Sequence, residues 1–106
     1  MLSQNKIKYL RSLEVKKNRY LENKILLDGR RLIDEAINHK VRIEHIWINK
    51  LLESNANEDK LICKIKKNGI NFSFEKNKDI NRISNTKNSQ GVIALISIKD
   101  FYNSNL

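Results

Sequence analysis

KILLDGRRLIDEAI, residues 24–37, sets a short apolar run, a glycine and an amphipathic pattern in direct succession. Between Lys24 and Asp28 the run has the length of a strand, and Gly29 stops it. Beyond the glycine, Leu32, Ile33, Ala36 and Ile37 recur at the steps that line one face of a helix. The segment predicts strand, turn, helix, and a strand feeding straight into a helix is the unit from which α/β folds are built.

The flanking sequence extends this pattern. Upstream, NKIKYLRSLEVKKNRY (5–20) spaces Ile7, Leu10 and Leu13 three residues apart among basic residues, which predicts one basic amphipathic helix. Downstream, IEHIWI (43–48) suits a second strand, and NKLLESNAN (49–57) a surface loop with a short helical turn. A helix capped by Asn57 then runs to Asn68, with Glu58 and Asp59 at its positive end, Lys66 and Lys67 at its negative end, and Gly69 as its stop. INFSFE (70–75) alternates apolar and polar residues, as a strand near a sheet edge does. Asn77 is placed to cap a short helix bearing Ile80 and Ile83. VIALISI (92–98) is apolar at nearly every position and belongs at the centre of the sheet. The expected fold class is α/β: a single three-layer α/β/α sandwich around a mainly parallel four-stranded sheet, one domain over residues 1–106.

Composition narrows the function. The net charge is +9. Residues 1–31 hold nine Lys or Arg against three acids, and the other 75 residues hold twelve against nine, so two thirds of the excess sits at the front of the chain. Such asymmetry is the footprint of a polyanion site, nucleic acid or anionic membrane, against the plainer reading of a solvated face. No apolar run spans a bilayer, no leader pattern opens the chain, and Cys63 is the only cysteine, which together imply a cytoplasmic protein without disulfides. One Cys and two His give no recognisable zinc spacing, and no metal is expected.

A dinucleotide fingerprint or a Walker loop needs several glycines in one turn, and here there is one. Arg30 and Arg31 are the sharper feature. Cations in a first helical turn oppose the macrodipole by roughly 0.3–1 kcal/mol each. Pairing with Asp34 and Glu35 is one compensation; a phosphate held jointly by the guanidinium groups and the free helix N–H groups is the other, and the dipole penalty favours the phosphate. Cys63 falls off the Leu61, Ile62, Ile65 stripe and reads as a filler rather than a nucleophile. His39 falls at a helix end and His45 in a strand. Trp47 reads as core, whereas Tyr9 and Tyr20 among the basic residues could stack on bases.

Taken together, NKIKYLRSLEVKKNRYLENKILLDGRRLIDEA (5–36) and RISNTKNSQGVIAL (82–95) resemble the N-terminal substrate-binding domain of SpoU/TrmH-type RNA 2'-O-ribose methyltransferases. The likeness rests on Asn5, Leu10, Leu13, Lys17, Arg19, Asp28, Gly29, Glu35 and Ala36, then on Ser84, Thr86, Gln90 and Gly91. Asp28 stands where the family usually has Glu, and Ser89 where it commonly has Pro. The resemblance implies an RNA-recognition module serving ribosomal or transfer RNA methylation, with an α/β/α fold shared by certain ribosomal and kink-turn-binding proteins. It assigns S-adenosylmethionine binding, methyl transfer and any homodimer contact to a knotted C-terminal domain whose motifs these residues lack. No cofactor and no catalytic residue are therefore expected within residues 1–106, nor a membrane partner. The expected RNA contacts are Lys6, Lys8, Arg11, Lys16, Lys17, Arg19, Arg30 and Arg31, with Lys87, Asn88 and Gln90 as a second loop. A free-standing RNA-binding protein and a dimerisation module without RNA are the alternatives.

Overall fold

A computed structural model describes residues 2–84 and 90–103. The elements run α1 (Gln4–Ser12), α2 (Lys16–Glu22), β1 (Lys24–Asp28), α3 (Arg30–Asn38), β2 (Ile43–Asn49), a 3-10 segment (Lys50–Asn55), α4 (Lys60–Lys67), β3 (Phe72–Glu75), α5 (Asn77–Ile83), β4 (Val92–Ser97) and α6 (Ile98–Asn103). The four strands form one sheet in the order β1-β4-β2-β3. Two cores lie on its two faces. Ile33, Ala36 and Ile37 of α3 and Leu61, Ile62 and Ile65 of α4 pack on Ile46, Ile48, Val92, Ala94 and Ile96. On the opposite face, Ile7 and Leu10 of α1 and Ile80 and Ile83 of α5 pack on Trp47, Ile93 and Leu95. The alternation along β4 assigns its side chains to the two faces, so a strand apolar throughout must be covered twice.

The three-layer sandwich is the expected one, but the sheet is mixed rather than mainly parallel. β4 runs antiparallel to both β1 and β2, and only β2 and β3 pair in parallel. An apolar run demands burial on both faces and leaves its direction open. β4 takes the slot between β1 and β2, while β3, with one half-exposed face, takes the edge.

Four local expectations are corrected. The basic helix is two helices, because α1 ends at Ser12 and α2 restarts at Lys16. The break is held by side chains: Asn18 Nδ2 donates to the Ser12 carbonyl (3.0 Å), and Arg19 Nη1 to those of Leu13 (3.1 Å) and Glu14 (2.8 Å). These bonds satisfy carbonyls that a continuous helix would have used internally. The cap of α4 is Asp59 and not Asn57, since its carboxylate accepts from the backbone N–H groups of Leu61 and Ile62 (3.0 and 3.1 Å). Asn77 is the first residue of α5, after Lys76 at the cap position. Ile98 leaves β4 to start α6, where its N–H donates to the Asn23 carbonyl at the end of α2 (3.0 Å).

Candidate nucleic-acid interface

The end of β1, the start of α3, the start of α4 and the entry to β4 meet at one end of the sheet. Gly29 makes the turn with φ of 117°, a value that a side chain would strain, and its N–H donates to the Val92 carbonyl (3.0 Å). The first orphan amide of α3, Arg30 N–H, donates to Gln90 Oε1 (2.7 Å). Gly91 follows at φ of 78°, and its Cα lies so close to β2 that an added Cβ would stand 3.0 Å from Asn49 Cβ. The Gln-Gly pair thus does two jobs: the amide closes the α3 N-terminus, and the glycine lets the strand enter against Asn49. Asn49 is buried, with its Nδ2 on Asn77 Oδ1 (2.6 Å) and its Oδ1 accepting Leu51 N–H (2.9 Å).

The two arginines part company here. Arg30 forks onto Asp59, Nη1 to Oδ1 at 3.0 Å and Nη2 to Oδ2 at 2.7 Å. This bond holds the Asp59 carboxyl below its ordinary pKa, helped by the Ile62 and Leu61 amides and opposed by burial, and it raises that of Arg30. The compensation for a cation at the start of α3 is therefore a carboxylate from α4, neither of the two acids expected. Arg31 is almost wholly exposed, and its one ion pair among the described residues is a long contact to Glu35 (3.8 Å).

Beside this pair runs an open groove of about 750 Å³, lined by Arg30, Arg31, Asp34, Asp59, Lys60 and Lys64 among others. Lys64 is committed to Asp34 (2.7 Å) and to Asn38. With Arg30 on Asp59 and Lys64 on Asp34, both acids are matched, and Arg31 and Lys60 supply the groove's excess positive charge.

The remaining expected contacts are dispersed. Lys6, Lys8 and Arg11 lie on α1, in the layer on the other face of the sheet, and Lys16 and Lys17 on α2, all exposed. Arg19, in α2, is half-buried on its two carbonyls. Gln90 is exposed but engaged by α3, and Lys87 and Asn88 lie outside the described residues. Trp47 is core, Tyr9 packs against that core, and Tyr20 is more than half exposed beneath Lys16, whose Nζ stands 5.9 Å from the ring centroid. Cys63 is exposed on α4. Among the described residues no group of three His, Cys, Asp or Glu could hold a metal ion, and no helix is long and apolar enough to cross a membrane. Sequence reasoning missed Asp59 as a clamp and Lys60 as a groove cation. The signal for the first was position: Asp59, itself a capping residue type, lies two residues before the apolar stripe that starts at Leu61, whereas Asn57 lies four before it.

A family model described as the MRM3-like substrate binding domain matches residues 4–94. No curated protein is significantly similar to the chain. Among solved structures, a protein assigned to the TrmH family of RNA methyltransferases from Porphyromonas gingivalis is 23% identical with a TM-score of 0.66, over 92% of this chain and 36% of that one. An RNA 2'-O ribose methyltransferase is 19% identical with a TM-score of 0.71, over 91% and 35%. The SpoU methyltransferase AviRb from Streptomyces viridochromogenes, in complex with AdoMet, is 12% identical with a TM-score of 0.73, over 91% and 36%. At these identities the likeness establishes the fold, and the chain spans about a third of the length of each.

Proposed function

Because the chain belongs to the MRM3-like substrate-binding domain family, the substrate-binding part of SpoU/TrmH-type RNA methyltransferases, we propose that it binds ribosomal or transfer RNA in the cytoplasm. Its role is to position the RNA for 2'-O-ribose methylation by a catalytic domain of the kind the longer relatives carry. The observation that supports this best is the groove beside α3, where Lys60 makes no ion pair among the described residues and Arg31, almost wholly exposed, has only the long 3.8 Å ion pair to Glu35 there. Phosphate oxygens are the acceptors that suit such cations, and contacts of this kind fix register rather than sequence. The exposed lysines of α1 and α2 extend the field that steers RNA to the domain. The resemblance to SpoU/TrmH methyltransferases, one of which is solved with AdoMet, assigns the cofactor, and any homodimer contact, to the catalytic domain.

The test is fluorescence anisotropy of a labelled ribosomal or transfer RNA stem-loop across a salt series. Affinity should fall steeply with salt. Arg31→Ala with Lys60→Ala should flatten the log–log slope by about 0.7–0.9 per phosphate contact removed. Binding that is undetectable or independent of salt would refute the reading.

A further inference from the structure

A second recess opens on the opposite layer, where α1 begins beside the β2–β3 edge. It measures about 590 Å³, and its lining includes Leu2, Lys6, His45, Trp47, Ser73 and Glu75. A bulge in β2 builds it: Ile43 pairs with Ile96 but His45 with Leu95, so Glu44 is the extra residue. Ile43 can then face the α3–α4 core while His45 and Trp47 share the other face.

The polar groups are ordered by a chain of hydrogen bonds. Glu75 is buried, and its Oε1 accepts the Leu2 N–H (3.0 Å) while its Oε2 accepts the Ser73 hydroxyl proton (2.7 Å). Ser73 has no second proton, so its oxygen accepts from His45 Nε2–H (2.8 Å). The neutral imidazole then carries its lone pair on Nδ1, to which the described residues supply no hydrogen bond. Burial holds the His45 pKa below its ordinary value, with Glu75 pulling it up and Lys6 pushing it down, which keeps this form at neutral pH. The imidazole leans on Trp47, with ring centroids 4.7 Å apart. Lys6 Nζ stands 5.3 Å from the Tyr9 ring and 6.0 Å from the Trp47 ring, and it makes no ion pair among the described residues. Glu44, at the rim, is engaged by Lys24 (2.9 Å).

The recess therefore offers one fixed acceptor, one unpaired cation and an apolar wall. We propose that it holds a single unpaired nucleotide of the bound RNA, with a base N–H donating to His45 Nδ1 and a phosphate on Lys6. Every base carries an N–H on its Watson–Crick edge that pairing consumes, and only an unpaired base can enter the recess with that edge toward His45, so this acceptor favours bases outside a helix. The assignment rests on the RNA-binding reading and adds to it a discrimination that the α3 groove lacks.

Trp47 is the only tryptophan and reports on the recess directly. Two RNAs serve as probes: a fluorescein-labelled stem-loop, and the same strand annealed to its full complement. The stem-loop should bind and shift Trp47 emission, whereas the duplex should bind through its phosphates without that shift. His45→Ala should weaken the stem-loop roughly three- to tenfold, the worth of one hydrogen bond, and leave the duplex unchanged. His45→Gln, whose amide oxygen restores an acceptor, should recover most of the loss, and circular dichroism should show both variants folded. If both RNAs bind but shift Trp47 alike, or if folded His45→Gln binds no better than His45→Ala, the recess proposal is overturned and the RNA reading stands. If neither RNA binds, that reading falls and the recess proposal falls with it.

Discussion

The carboxylate of Asp59 serves two helices at once: it caps the α4 amides and forks onto Arg30 at the start of α3. Removing it by Asp59→Ala should cost about 2 kcal/mol, about half from the lost cap and half from the partly exposed ion pair. Asp59→Asn keeps a capping oxygen and removes the charge, so it should recover the first half, as read from urea unfolding at neutral pH. The sign with pH follows from a depressed folded-state pKa. The ion pair's contribution is fully present above the ordinary aspartate pKa of about 3.9, and it disappears as pH falls through the lower folded-state value. The gap between wild type and Asp59→Asn should therefore close in that acidic window. Equal losses in the two variants at neutral pH would mean that the carboxylate does not act as a cap.

Individual elements were largely legible in the sequence because each has a local cause. The strand–turn–helix at Gly29, the alternation of β3 and the uniformly apolar β4 follow from periodicity and burial alone. What could not be read is set at a distance. The direction of β4 depends on how the chain returns after α5, and Arg30 finds a partner 29 residues away. The helix break lies between these cases. Residues 12–15 contain neither Gly nor Pro, and the break is held by side chains from the following helix, so a continuous apolar stripe hid it. Arg19 is the residue in which the two readings separate: its charge marked it for phosphate, and its guanidinium holds the end of α1. Arg19→Ala should lower stability by about 1 kcal/mol, speed amide exchange in α2 and leave the salt slope of RNA binding unchanged. A flattening as large as that from removing one groove cation would return Arg19 to the phosphate contacts.

For the molecule as a whole, charge is the term left out of balance. The chain carries 21 basic and 12 acidic residues, and four ion pairs are formed among the described residues. Two of these, Arg30–Asp59 and Lys64–Asp34, tie α3 to α4, while the exposed cations of α1 and α2 make no ion pair among the described residues. A net charge far from zero destabilises the compact state by self-repulsion, and salt screens repulsion between exposed charges more effectively than a half-buried bidentate pair. Raising the ionic strength from low values toward about 0.15 M should therefore stabilise the free protein, on the order of 1 kcal/mol or roughly 4–8 °C in Tm. Salt must act oppositely on the complex, because the same screening releases RNA. Thermal unfolding with and without a stem-loop RNA should accordingly give two Tm curves that converge as salt rises, the free protein climbing while the stabilisation by RNA shrinks. A free protein that loses stability on adding salt would show that its ion pairs outweigh its repulsion, and the case for an unneutralised cationic surface awaiting a polyanion would lose its energetic support.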